Sequence, residues 1–68
     1  MRQAIQNILE NKGKLEDVLN AFGSYHIRNI FPFIQYGCHI GYYLDIDFDD
    51  GLTITIDIDK QGFLLDYH

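Results

Sequence analysis

Two stretches of strict alternation, separated by three residues that fit neither, constrain this chain more than any other feature. In the first, Ile40, Tyr42, Leu44, Ile46 and Phe48 alternate with Gly41, Tyr43, Asp45 and Asp47. In the second, Leu52, Ile54, Ile56 and Ile58 alternate with Thr53, Thr55, Asp57 and Asp59. Apolar residues at period two mark strands with one buried face, and the β-branched content of the second run suits a pleated surface. A two-residue loop at Asp50-Gly51 would set Asp49 against Leu52 and Asp47 against Ile54, placing charge beside core throughout. A three-residue loop, Asp49-Asp50-Gly51, pairs Phe48 with Leu52, Ile46 with Ile54, Leu44 with Ile56 and Tyr42 with Ile58. Every pair is then apolar, and Gly51 supplies the left-handed residue that this loop length favours.

The next turn extends the sheet. Asp59-Lys60-Gln61-Gly62 carries Asp first and Gly fourth, a type I preference. It predicts Ile58 opposite Phe63, Ile56 opposite Leu65 and Ile54 opposite Tyr67, so that Leu64 and Asp66 point outward, across from Asp57 and Thr55. Upstream, Ile5, Ile8, Leu9, Leu15, Val18, Leu19 and Phe22 follow helical spacing and form one apolar stripe. Gly13 interrupts it, which allows one bent helix or two short ones, and Gly23 is a stop signal. Between Ser24 and Cys38 the pattern is poor. Pro32 disfavours a central strand or helix interior, leaving an edge strand or a connecting turn, and an edge strand near Phe31–Gln35 turning at Tyr36-Gly37 is the reading. The expected fold is α+β: an N-terminal helix, or two short helices, packed on one face of a three- to four-stranded antiparallel β-meander. Its segments are 1–23 helical, 24–38 a connecting segment or edge strand, and 39–68 the meander, all in a single domain.

At 68 residues the chain is near the lower limit for a self-sufficient core, which its 47% hydrophobic content supports. One cysteine, Cys38, excludes an internal disulfide framework and a thiolate-rich zinc site. The lack of such staples favours a reducing compartment, and neither a signal-peptide core nor a membrane-length apolar run is present, so a cytoplasmic location is expected. The net charge of −5 is uneven: residues 1–44 carry four bases against three acids, and residues 45–68 carry seven acids against Lys60 alone. That half would repel a phosphate backbone or an anionic membrane, so no direct nucleic acid and no membrane partner are expected.

The same register specifies the outer face of the sheet. Asp45, Asp47, Asp57 and Asp66 form a field separated by threonines, with Tyr43 and Leu64 at its edge. In the simplest reading this is a solvated face that keeps a small protein dispersed. The sharper one is a recognition surface for a basic partner, since acids two apart on a strand lie roughly 6.6 Å from one another, a spacing of the same order as successive phosphates. Asp45, Asp47, Asp57 and Asp66 would supply charge, and Tyr43 and Leu64 apolar contact.

Catalytic and metal chemistry find less support. The segments Asp45–Gly51 and Asp57–Gly62 echo half of a calcium loop. Both lack the glutamate that should close it, however, and hairpin turns account for the same residues. His26, His39 and His68 do not cluster in sequence, and His39 faces outward by parity. Cys38 and His39 point to opposite sides of a strand, so Cys38 reads as a small buried hydrophobe rather than a nucleophile. No phosphate-cradling glycine loop is present, so no enzyme activity, metal or cofactor is expected. In size, acidity and lack of catalytic residues the chain resembles, in type rather than in residues, the small inhibitors encoded by phages and other mobile elements, anti-CRISPR and other anti-defence proteins among them. The leading reading is an acidic protein-binding inhibitor that occupies a basic, nucleic-acid-binding surface of a larger protein. Its rivals are an immunity protein or antitoxin capping a basic toxin, and a structural homo-oligomer joined through an edge strand such as Phe63–Tyr67.

Overall fold

The apolar stripe at the N-terminus folds as two short helices, α1 (Arg2–Glu10) and α2 (Leu15–Ala21), in a computed structural model that describes residues 2–68. Met1, the first residue of the expected helical segment, lies outside the described residues. The break between the helices is a left-handed cap, but Gly13 is not its left-handed residue. Lys12 takes that conformation (φ 58°), its N–H donating to Leu9 O at 3.1 Å, while Gly13 N–H reaches back to Ile8 O at 2.8 Å. Gly13 is needed for space, since a Cβ there would lie 2.5 Å from Ile8 Cγ2. The second helix starts with a reciprocal cap: Lys14 N–H donates to Asp17 Oδ2 at 2.8 Å and Asp17 N–H to Lys14 O at 3.0 Å.

Four strands follow, β1 (Tyr25–Gln35), β2 (Cys38–Phe48), β3 (Thr53–Asp59) and β4 (Leu64–Tyr67), in the order β1-β2-β3-β4 with every neighbour antiparallel. The fold is thus α+β, two helices against a four-stranded meander. Between β2 and β3 the register is the one set by the three-residue loop: Tyr42, Leu44 and Ile46 oppose Ile58, Ile56 and Ile54. Gly51 has φ 92°, and its N–H donates to Phe48 O at 3.0 Å.

The register of β4 differs from expectation. Ile58 opposes Leu64 and Ile56 opposes Tyr67, with an irregularity that leaves Leu65 as an extra residue. Leu64 is therefore core (7% exposed), while Phe63 and Leu65 (45%) are exposed. The cause lies in the link between the helices. Gly62 O accepts from Leu15 N–H at 2.8 Å, and Leu64 N–H donates to Gly13 O at 3.0 Å. That bridge turns Phe63 toward Lys14, whose Nζ sits 4.8 Å from its ring centroid. Leu64 then enters the core, and the strand rejoins the ladder only by bulging at Leu65.

The first strand begins at Tyr25, earlier than the pattern suggested, and it too is irregular. Arg28 is an extra residue between Ile27, paired with Ile46, and Asn29, paired with Asp45; Ile40 is an extra residue on β2. Pro32 sits opposite Tyr42 on this edge strand, where its lack of an N–H costs no ladder bond. All seven apolar residues of the helical stripe reach the core, Ile5 and Val18 completely. They meet Leu44, Ile46, Phe48, Ile54, Ile56, Ile58 and Leu64, with Phe22 edge-to-face on Phe48 at 5.0 Å.

The β1–β2 hairpin is longer than the sheet it belongs to. β3 reaches only Gly41, so residues 34–40 project beyond it as an arm. Eleven residues at about 3.3 Å each span roughly 36 Å, and the longest dimension of the molecule is 36 Å. Gly41 lies where the arm leaves the sheet, and a Cβ there would fall 1.9 Å from Ile58 O. Three expectations for this region are corrected. Tyr42, a core residue by parity, is 37% exposed on the rung it shares with Ile58, next to where the arm leaves the sheet. Cys38 is exposed rather than buried. The bulge at Ile40 turns His39 from the outer face to pack on Tyr42, ring centroids 4.9 Å apart.

Candidate functional site

The sheet face turned away from the helices brings together Asp45 and Asp47 from β2, Asp57 from β3 and Asp66 from β4. Asp45 faces Thr55, Asp47 faces Thr53 and Asp57 faces Tyr43, as the register implied. Asp66 faces Asp57 instead of Thr55, a consequence of the bulge at Leu65. Leu64, expected at the edge of this field, is on the opposite face and takes no part in it.

Two of the carboxylates are fixed by neutral donors. Thr55 Oγ1 donates to Asp45 Oδ1 at 2.7 Å, and Asn29 Nδ2 donates to Asp45 Oδ2 at 3.1 Å. These bonds, the threonine's first, hold the Asp45 carboxyl below the usual carboxylate range. Thr53 Oγ1 donates to Asp47 Oδ1 at 2.9 Å, and Arg28 Nε lies 3.7 Å from Asp47 Oδ2. Asp57 behaves oppositely: partial burial pushes its carboxyl up, Asp66 adds to the rise, and His68 opposes it. Asp57, Asp66 and His68 bring one potential ligand atom each within 4.8 Å of one another. His68 was unplaced in the sequence, where the distance to its partners could not be read.

Beside the acids lies an apolar patch that pattern reading missed. Phe31 and Phe33 of β1 meet Tyr43 of β2, with centroids 5.1 Å and 6.2 Å apart, the second pair edge-to-face. The only available signal was Phe31-Pro32-Phe33, two aromatics on one side of a proline. It becomes legible once β1 is known to pair Phe31 with Tyr43. The face thus grades from aromatic at β1 to acidic at β3 and β4, with Asn29, Thr53 and Thr55 donating into the acids between. Fixed carboxylates next to flat rings can accept from ammonium or guanidinium groups and stack on their stems.

Among the described residues, no helix is long and apolar enough to cross a membrane. No family model matches the chain, and no curated protein or solved structure is detectably similar to it.

Proposed function

We propose that this protein is a protein-binding inhibitor whose outer sheet face occupies a basic surface on a larger partner. The observation that carries this reading is the continuity of Asp45, Asp47, Asp57 and Asp66 with the Phe31–Phe33–Tyr43 patch on the one face the helices leave open. Carboxylates held by Thr55, Asn29 and Thr53 meet an incoming cation without first being ordered, which favours affinity. The acids also steer a positively charged partner toward this face. Strand geometry spaces Asp45 and Asp47 about as far apart as successive phosphates, so a surface built for nucleic acid is the natural target. On this reading the protein acts by competition, in the manner of a mobile-element anti-defence inhibitor, and needs no catalytic group of its own.

The test is affinity capture of partners from a host lysate, with mass spectrometry, repeated with excess duplex DNA and at raised salt. A nucleic-acid-binding protein displaced by DNA, and lost when Asp45→Asn, Asp47→Asn and Asp57→Asn are combined, is the expected result. Equal capture by the triple variant, with its fold intact by circular dichroism, would sink the reading.

A further inference from the structure

The other face of the β1–β2 hairpin, from Ile30 out to the arm, carries a separate apolar surface. Ile30 pairs with Leu44, Pro32 with Tyr42 and Ile34 with His39, which places Ile30, Pro32, Ile34 and Tyr42 in a row continuous with the core-facing side of the sheet. The helices stop short of this row. Ile30 is 59% exposed, Ile34 61% and Tyr42 37%, and at the tip Tyr36 is 96% exposed. Tyr36 is also held at φ 53°, a left-handed conformation that bulky residues avoid. The turn itself accounts for that conformation, since Gln35 pairs with Cys38 and Tyr36-Gly37 is a two-residue loop, but the side chain is left almost wholly open to contact.

We propose that this row is a dimer interface, on which a second copy of the chain packs its own arm about a two-fold axis. Charge permits a second copy. Between Val18 and Leu44 the sequence has no acid, although the whole chain carries −5. The arm is therefore where two such molecules meet without opposing carboxylates. Area agrees with this. Ile30, Ile34, Tyr36 and Tyr42 expose on the order of 500 Å² per copy, so their complete burial in a pair would remove about 1,000 Å², the size of a small, weak dimer interface. Packing is face to face rather than edge to edge. Pro32 removes a donor from the open edge of β1 and the bulge at Arg28 interrupts it, so a continuous ladder with another strand is blocked. The dimer leaves the acidic outer face free, and it holds whether or not that face binds a basic partner.

Sedimentation equilibrium of the full chain, from low micromolar to near-millimolar concentration, tests the proposal. The wild type should move from the monomer mass to twice that mass and no further. Ile34→Asp alters an exposed side chain outside the core, so it should keep the circular dichroism spectrum and melting curve of the monomer yet stay monomeric throughout, a loss of tenfold or more in association constant. Leu65→Asp, a control on the exposed bulge of β4, should dimerise like the wild type. A monomer at every concentration overturns the proposal and leaves the row to a foreign partner. So does an Ile34→Asp variant that still dimerises, a Leu65→Asp variant that does not, or assembly that grows past two copies as edge-strand pairing would.

Discussion

Asp45 and Asp57 sit two strand positions apart in the same field and respond to pH in opposite directions. The bonds from Thr55 and Asn29 lower the folded-state value of Asp45. Its contribution to stability is present above the unfolded value of about 3.9 and is lost as pH falls through the lower folded value. Partial burial and Asp66 raise the value of Asp57. Its contribution is complete below the unfolded value and lost as pH rises through the folded one, so at neutral pH the ionised Asp57 opposes folding. Asp57→Asn should therefore raise the melting temperature at pH 7, by a gain within the ~1 kcal/mol typical of exposed charges, and the gain should shrink toward zero as pH falls to 4 and below. Asp45→Asn should do the reverse at pH 7, lowering the melting temperature. Melting curves of both variants across that range check the pair, and a melting temperature that does not rise in Asp57→Asn at neutral pH would show that Asp57 is not the strained member.

At the scale of elements, the turn between β1 and β2 holds a bulky residue in the left-handed region. Tyr36 and Gly37 both have positive φ, 53° and 76°, the pattern of a two-residue type I′ hairpin turn. Glycine adopts this at no cost, whereas tyrosine gives up roughly 1–2 kcal/mol. Tyr36→Asn makes the turn Asn-Gly, the sequence this geometry prefers, and should stabilise the dilute monomer by about 1 kcal/mol, or roughly 4–8 °C in a domain of this size. An unchanged melting temperature would mean that the tyrosine is not strained there. The elements also differ in how legible they were. The pairing of β2 with β3 could be read because each run alternates without interruption and one loop length made every pair apolar. β4 could not, since Phe63-Leu64-Leu65 is apolar at three successive positions and so carries no parity. What decides its phase is the bridge from Gly62 and Leu64 to Gly13 and Leu15, nearly 50 residues away in sequence. That is why Asp45, Asp47 and Asp57 were placed correctly against their partners across β2 and β3, Asp57 and Asp66 correctly on the face but against the wrong residues across β3 and β4, and Leu64 on the wrong face. β1 hid for a related reason: the extra residue at Arg28 breaks its period, and Ile30, Phe31, Phe33 and Ile34 are apolar on both sides because each side has an exposed surface to supply.

Taken whole, the molecule divides into two parts by cover and by charge. Helices α1 and α2 close over Leu44, Ile46, Ile54, Ile56 and Leu64, all buried residues of the sheet. Beyond Gly41 the arm has a neighbouring strand on one side only, no helix above it, and no acid within it. Local stability follows buried apolar contact and shielded backbone bonds, so the two parts should open separately. Hydrogen exchange of the native chain, at concentrations too dilute for association, should leave the amides of Ile46, Ile54 and Ile56 exchanging only through global unfolding. Those of Ile34 and His39 should exchange faster by a factor of a hundred or more, equivalent to a gap of roughly 3 kcal/mol between opening the arm and unfolding the domain. Raising the concentration should slow the arm amides and leave the core amides as they were, because pairing of two arms stabilises only the part that opens first. Protection that is uniform from Ile34 to Ile56 in dilute solution would mean that arm and body unfold as one cooperative unit. The free arm would then be rigid by itself, and its exposed Ile34 and Tyr36 would need no partner to be held in place.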